Sequence, residues 1–310
     1  MGYLRKTMKN GFIKQLFLTF VLLMVLFLIP AAKAEAKWVK ANGKYRYTIN
    51  ASGTKYYKNK WVKIKGKYYY FDKKGYRKTG WLTHNGKKYY LNKKGVRVTG
   101  FQTIKKKKYF FSSKGVMITG WLKYKNNYYY MNSSGIVQTG LKKINNYIYY
   151  FDSNGKRVSN ADITFGNMVY HFASNGTLQY NGTEEENAVK YINVIRMLKG
   201  YNPLEYHTDG VLSNAAQKRA KELDSKTSHI RPDGTSYATV LTNDYPVAVY
   251  WSGECILWGK AKKGTVVAGS WLADNNAKVL LQKEADAIGI AKYRNAKGCE
   301  YWSAIVIQKK

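Results

Sequence analysis

Hydrophobic and polar positions follow two different rhythms along the chain. From about residue 61 to 159, short aromatic and aliphatic runs such as Gly80-Trp81-Leu82-Thr83 and Lys87-Lys88-Tyr89-Tyr90-Leu91 are separated by turn residues, here Asn85-Gly86 and Asn92 to Gly95. Asn-Gly between β-forming runs is a hairpin signal. The glycine of the second turn supplies a residue that tolerates positive φ. Each unit therefore predicts a short β-hairpin, too small to bury a core by itself. From Thr183 the rhythm changes. Thr183-Glu184-Glu185-Glu186 reads as a capping box. Ala188, Tyr191, Ile192, Ile195 and Leu198 then recur at helical spacing until Gly200. A second helix is predicted over about residues 211–224 on Leu212, Ala215, Ala216, Ala220 and Leu223, and a short one near 236–242. A third is predicted over 266–281, with Trp271 on its apolar side. Residues 287–293 and 301–307 are β-rich runs around a polar turn at 295–298, a further hairpin.

The hairpin units repeat. Thr79-Gly80-Trp81 returns as Thr99-Gly100-Phe101, Thr119-Gly120-Trp121 and Thr139-Gly140-Leu141, at steps of twenty residues. Gly75, Gly95, Gly115, Gly135 and Gly155 keep the same step, as do Tyr70-Phe71, Tyr90-Leu91, Phe110-Phe111, Tyr130-Met131 and Tyr150-Phe151. Three markers in phase at a fixed short period predict a solenoid array. Residues 35–60 are a worn first unit, with Trp38 and Asn42-Gly43-Lys44-Tyr45 in repeat-like places, as expected where an array is capped. Phe165, Val169-Tyr170-His171-Phe172 and Asn175-Gly176 form a closing unit, giving about seven units in all. Stacking is expected to bury the Trp81-type and Tyr90-type aromatics between neighbours.

Charge sharpens the division. The 310-residue chain carries a net charge of +35, and residues 35–180 hold 30 Lys/Arg against 4 Asp/Glu, a net of +26. Residues 181–310 are nearly balanced, at +4. Such a field attracts polyanions: nucleic acid, anionic lipid or wall polymers. The N-terminus chooses among them. Arg5, Lys6, Lys9 and Lys14 precede an apolar run of 14 residues, 16–29, short for a membrane span. Pro30 and Ala32-Lys33-Ala34 follow. Residues 1–34 read as a secretory signal peptide with a mature start near Glu35, leaving no stable membrane span after cleavage, with an uncleaved anchor as the alternative. Export argues against nucleic acid as the partner. Cys255 and Cys299 are the only cysteines. In an exported chain this even pair permits one disulfide, with two buried free thiols as the alternative.

On the threonine-glycine-aromatic step, residues 35–180 resemble the cell-wall-binding repeat family, which includes choline-binding and glucan-binding modules of secreted Gram-positive proteins. The resemblance implies ligand pockets between successive hairpins. It places candidate ligand-binding residues at Trp61, Trp81, Phe101 and Trp121, with Tyr70, Tyr90, Phe110 and Tyr130. Quaternary ammonium recognition by such aromatics has a cation–π basis. This chain departs from the choline-binding pattern at the first residue of the aromatic triplet, which is Tyr68, Lys88, Lys108, Tyr128 and Ile148. Two of these are cations that would repel choline. The expected partner is an anionic polymer such as teichoic acid, or a glycan stacked on Trp and Tyr. The alternative for any single aromatic is a purely inter-repeat packing role.

Ser228-His229-Ile230-Arg231-Pro232-Asp233-Gly234, followed by Gly253-Glu254, is similar to the bacterial CAP (SCP-like extracellular) family, over residues 184–308. The resemblance implies an α-β-α sandwich for residues 181–310. It also implies a cleft in which two histidines and acidic residues face each other, binding a divalent metal in some members. His229 and Glu254 match the first histidine and the acid. The second histidine falls where this chain reads Trp271-Leu272-Ala273-Asp274-Asn275-Asn276-Ala277, so Asn275 replaces it. One histidine and one glutamate are a thin set for zinc, and no metal or cofactor is expected. His229 and Glu254 either brace the loop before Pro232 or act as an acid–base pair. The expectation is a secreted cell-surface protein held on the wall by its repeats, displaying a CAP domain with a degenerate cleft and acting in binding. The alternative is a secreted hydrolase of peptide or wall polymer using His229 and Glu254.

Overall fold

The computed structural model describes residues 36–50 and 52–310. The signal-peptide segment lies outside them. The chain divides into two compact units, residues up to Ile118 and Thr119–Lys310.

The first unit is a series of two-stranded antiparallel hairpins: β1 (Trp38–Ala41) with β2 (Lys44–Tyr47), β3 (Lys60–Ile64) with β4 (Lys67–Phe71), β5 (Gly80–His84) with β6 (Lys87–Leu91), and β7 (Gly100–Ile104) with β8 (Lys107–Phe111). Asn85 and Gly86 close one hairpin at φ 50° and 70°, the positive values that a tight hairpin turn needs. Lys105 and Lys106 do the same at 49° and 63° without a glycine. The second turn is built around Asn92. Its Oδ1 accepts from the N–H groups of Lys94 (2.9 Å) and Val96 (3.0 Å), while Gly95 donates to the Asn92 carbonyl at 2.7 Å. The chain then reaches back: Arg97 N–H donates to the Tyr68 carbonyl of the preceding hairpin at 2.8 Å. Consecutive hairpins of the first unit are thereby stitched through the backbone.

In the regular hairpins the fully buried residue is the last of the second strand. Phe71, Leu91 and Phe111 in the first unit, and Met131 and Phe151 in the second, are all 0 % exposed. The expectation that Trp81-type residues are buried needs correcting, because Trp81 and Trp121 remain 43 % and 40 % exposed. A two-stranded ribbon has one narrow inner column. The strand end at the sharp turn fills it, so the tryptophan is covered on one side only.

The second unit opens with hairpins β9 (Gly120–Tyr124) with β10 (Asn127–Met131) and β11 (Gly140–Ile144) with β12 (Tyr147–Phe151). A three-stranded closing sheet follows: β13 (Ala161–Phe165), β14 (Met168–Phe172) and β15 (Leu178–Gln179). Helix α1 (Glu184–Leu198) starts at the predicted capping box, with Thr183 and Glu186 bonded reciprocally. Helix α2 (Val211–Ser225) and a 3-10 turn (Tyr237–Leu241) lead to β16 (Val249–Gly259). Helices α3 (Gly264–Ala273) and α4 (Ala277–Leu280) and strands β17 (Ala287–Arg294) and β18 (Glu300–Lys309) complete the chain. The helix expected over 266–281 is therefore broken. Asp274 is extended, and its Oδ1 accepts from Asn276 N–H at 2.7 Å, a local bond that competes with the helix.

The sheet is antiparallel, in the order β16-β18-β17. Alternation along β18 sorts its side chains: Trp302, Ala304 and Val306 face the core with α1 and α3, while Ile305 and Ile307 face α2 with Ala215 and Ala216. This is the expected α-β-α sandwich. Its larger core runs across the composition boundary at 180/181, since Leu141, Met168, Tyr170, Phe172 and Leu178 pack with Val189, Ile192 and Trp271. Buried Arg196 ties this region together by donating to the carbonyls of Asn202, Leu280, Gln282 and Ala285.

The disulfide left open by the sequence does not form, and both cysteines are free. Cys255 lies opposite Ala304 in β16, five strand positions from Cys299. That is roughly 16 Å along the strand, far beyond the span of a disulfide. Cys255 Sγ sits against the Asn276 carbonyl and Cys299 Sγ against that of Gly259.

Two glycines make opposite predictions. A Cβ on Gly289 would strike the backbone of Leu212 in α2, whereas one on Gly269 in α3 would meet nothing within 4 Å. Gly289→Ala is expected to lower stability by about 1–3 kcal/mol by overpacking. Gly269→Ala is expected to raise it by about 0.5–1 kcal/mol through helix propensity. Urea unfolding of the two variants beside the parent checks both signs.

Candidate functional site

The eight aromatics singled out in the repeats form four cross-strand pairs in register: Trp61 with Tyr70, Trp81 with Tyr90, Phe101 with Phe110 and Trp121 with Tyr130. Their ring centroids lie 5.3, 5.3, 4.9 and 5.2 Å apart, close to edge-on. Each of three tryptophans also meets a tyrosine of the following hairpin: Trp61 with Tyr89 and Trp81 with Tyr109 at 5.0 Å, and Trp121 with Tyr149 at 4.9 Å. Tyr70 and Phe110 are buried and belong to packing, whereas Trp81 and Trp121 keep an open face. Tyr89, Tyr109 and Tyr149 were not singled out by the sequence, although they hold the same place in each period.

In the C-terminal domain the structure brings His229 and Glu254 together. Glu254 projects from β16 with its side chain 0 % exposed, and its Oε2 lies 2.8 Å from His229 Nδ1. A carboxylate only accepts, so Nδ1 carries the hydrogen. The His229 side chain is half-exposed. The same carboxylate accepts from Arg219 Nε at 2.8 Å, Arg219 Nη2 at 3.3 Å and Ser303 Oγ at 3.2 Å. Four donors therefore surround two oxygens.

Glu254 is one end of a longer chain of alternating charge. Arg219, from α2, also donates to Glu222 at 2.6 Å and to the Ser228 carbonyl at 2.8 Å, which fixes the loop carrying His229. Arg231 grips Glu222 at 2.8 Å and Asp244 at 2.7 Å, and Lys218 closes on Asp244. Tyr237 OH donates to the Ser252 carbonyl at 2.9 Å, beside the histidine ring. Asn275, in the place of the missing histidine, is exposed in the break between α3 and α4. Gly253 is the flat point of β16: a Cβ there would meet Val279 at 2.7 Å and the Trp251 ring at 2.9 Å. Among the described residues, no group of three or more His, Cys, Asp or Glu side chains is arranged to hold a metal ion.

Arg219, Glu222 and Ser303 were missed by sequence reasoning, and Arg231 stood in the quoted motif without a role. One signal was available for Arg219, which lies on the apolar stripe of α2 between Ala216 and Leu223 and is 0 % exposed. A charge on a buried stripe calls for a buried counter-charge.

Burial works to raise the Glu222 carboxyl, but the bonds from Arg231 and Arg219 win and hold it below its usual 4.5. The Lys218 and Arg231 partners do the same for Asp244. A depressed carboxyl contributes stability that is present above its unfolded value and lost as pH falls through its folded one. Stability of the protein is therefore expected to decline as pH drops below about 4.5. Glu222→Gln should start less stable at neutral pH and decline less on acidification, as read by thermal unfolding across pH. Glu254→Ala takes away one of the two carboxylates that answer the buried Arg219 guanidinium and is expected to cost about 3–5 kcal/mol, read by urea unfolding. Ser303→Ala should cost only about 1 kcal/mol.

Residues 58–95 and 98–137 match a family model described as choline-binding repeat, and residues 139–156 match one described as putative cell wall binding repeat. Residues 189–306 match the cysteine-rich secretory protein family, CAP. No curated protein matches the chain. Among solved structures, choline binding protein F from Streptococcus pneumoniae is 34 % identical over 47 % of this chain and 48 % of its own, with a TM-score of 0.42. CbpJ from Streptococcus pneumoniae TIGR4 is 29 % identical over 47 % and 48 %, also at 0.42. The pneumococcal cell wall endolysin from phage Cp-1, complexed with choline, is 36 % identical over 41 % and 39 %, at 0.31. The chain thus spans less than half the length of each of these structures. It carries repeats of the choline-binding type followed by a CAP domain.

Proposed function

We propose that this is a secreted protein held non-covalently on the cell wall of a Gram-positive bacterium by its repeats, and that its CAP domain acts there as a binding or display module. The observation that carries the reading is the net charge of +26 over residues 35–180, laid on an aromatic hairpin array of the choline-binding type. Such a surface suits an anionic wall polymer, either teichoic acid or a charged glycan, better than a neutral one. The CAP part of the reading is supported by the Glu254 carboxylate. With four donors on two oxygens and a buried arginine at its side, it is committed to bracing the His229 loop.

A hydrolase reading has one observation in its favour. Glu254 orients the half-exposed His229 ring through Nδ1, as a carboxylate orients a catalytic base. Comparing the whole protein with His229→Ala on peptide and wall-polymer substrates separates the two. Activity that disappears in the variant would put the hydrolase ahead.

For the anchoring role, the whole protein is expected to sediment with isolated cell walls at physiological salt and to be released progressively as ionic strength rises, because exposed charges are screened. Protein that stays in the supernatant at physiological salt would refute it.

A further inference from the structure

Four arginines of the hairpin array share one environment. The Arg97 guanidinium lies 4.1 Å from the Tyr68 ring centroid and 5.7 Å from that of Trp61. Arg77 lies 4.6 Å from Tyr45 and 5.5 Å from Trp38, and Arg157 lies 4.4 Å from Tyr128. Arg46 is sandwiched between Tyr56 and Tyr76 at 4.3 and 4.2 Å. The three tyrosines at the repeating place, Tyr45, Tyr68 and Tyr128, are each 37 % exposed, so these stacks sit at the surface.

The backbone prescribes the pairing. Arg77, Arg97 and Arg157 each donate their N–H to the carbonyl of the tyrosine they cover, at 2.7, 2.8 and 2.7 Å. Where that carbonyl belongs to Lys88, the donor at 2.8 Å is Met117 instead. Arginine therefore occurs where there is a ring to lie on, and an uncharged side chain occurs where the partner is already a cation. The stem of each arginine crosses the turn glycine of the next unit. A Cβ on Gly95, Gly115 or Gly176 would strike Arg77, Arg97 or Arg157 respectively.

This placement decides which hydrogens remain. The Nε of all four arginines is buried without a partner among the described residues. One Nη2 of Arg97 and of Arg157 reaches the turn carbonyl of Ser113 or Ser174, at 3.5 and 3.4 Å. The other Nη hydrogens of these two have no protein acceptor among the described residues. They belong to guanidinium groups that sit over an aromatic ring, at 4.1 Å for Arg97 and 4.4 Å for Arg157, and a planar guanidinium takes an oxyanion through such N–H groups.

We propose that these stacks convert the aromatic cages of the array from cation sites into anion sites: Arg77, Arg97 and Arg157 fill the place where an exogenous cation would lie on Tyr45, Tyr68 and Tyr128, and their Nη hydrogens take the oxyanions of the wall polymer. The inference rests on the anchoring role above and adds its chemistry. It sets the specificity of the array apart from that of a neutral aromatic cage, which attracts quaternary ammonium through the ring face.

The test is isothermal titration of the whole protein with three probes: choline chloride, long-chain polyphosphate and polygalacturonate. The parent is compared with two triple variants, Arg77→Met/Arg97→Met/Arg157→Met and Arg77→Lys/Arg97→Lys/Arg157→Lys. The parent is expected to show no saturable choline binding and to bind at least one polyanion. The methionine variant should gain saturable choline binding and lose tenfold or more in affinity for that polyanion. Which polyanion loses tells phosphate from carboxylate as the preferred group. The lysine variant keeps every charge but not the stacked fork, and should lose comparably.

Saturable choline binding by the parent overturns the proposal, as does a methionine variant that takes no choline. A lysine variant that binds polyanion as well as the parent also overturns it, because the overall field alone would then hold the polymer. If the methionine variant loses its near-ultraviolet aromatic signal, the lysine variant decides alone. Sedimentation with isolated walls keeps the two readings apart. A parent that fails to sediment sinks the anchoring role, whereas a parent and lysine variant that sediment alike at every salt concentration sink only the arginine assignment.

Discussion

A carboxylate sealed from water in the middle of a strand has to be answered by donors, and the C-terminal domain is arranged around that demand. Glu254 is met by Arg219 from α2, His229 from the following loop and Ser303 from β18. Arg219, itself without solvent, recruits Glu222 and the Ser228 carbonyl, and Arg231 extends the alternation to Asp244. One buried charge thus ties a helix, two strands and a long loop into one set of mutual dependencies. Replacing one member leaves its neighbour charged and dry, which is why such networks are fragile to single changes even when their net contribution is small. The conformation of the His229 loop follows from this network rather than from apolar packing.

The hairpins face the opposite problem. They have few inward positions, so each can bury only one side chain completely, and the rest of their cohesion comes from cross-strand rings, ring-to-ring contacts with the next hairpin of the same unit and backbone bonds between those hairpins. The closing hairpins of the second unit escape the limit by sharing a core with α1 and α3 through Tyr170, Phe172 and Leu178. Arg196 completes that junction, satisfying four carbonyls that the loop at 280–285 and the segment after α1 would otherwise leave without partners.

Much of this was legible in the sequence because it is local. The step of twenty, the Asn85-Gly86 turn, the Thr183 capping box and the β17–β18 hairpin depend on neighbours in the chain. What was not legible depends on residues far apart. The open face of Trp81 follows from the narrowness of a ribbon, which a pattern of aromatics does not encode. The helix break at Asp274 was hidden by apolar residues on both sides of it. The separation of Cys255 from Cys299 follows from the register of β16 on β18. His229 and Glu254 were found through a motif, but Ser303 carries no mark in a run of strand formers. Arg219 was visible as a charge on an apolar stripe, and its partner was not.

The passage from repeats to C-terminal domain has a mechanical consequence. Only residues 180–183 separate β15 from α1, and they are not slack: Gly182 exchanges two hydrogen bonds with Asn187, and Tyr180 packs against Tyr191. Beneath them the two parts share a core. A pull on the closing hairpins is therefore borne by the body of the domain, with no tether to stretch first. Whatever surface the domain presents turns with those hairpins as one stiff lever, so its orientation is set by them rather than by thermal wandering.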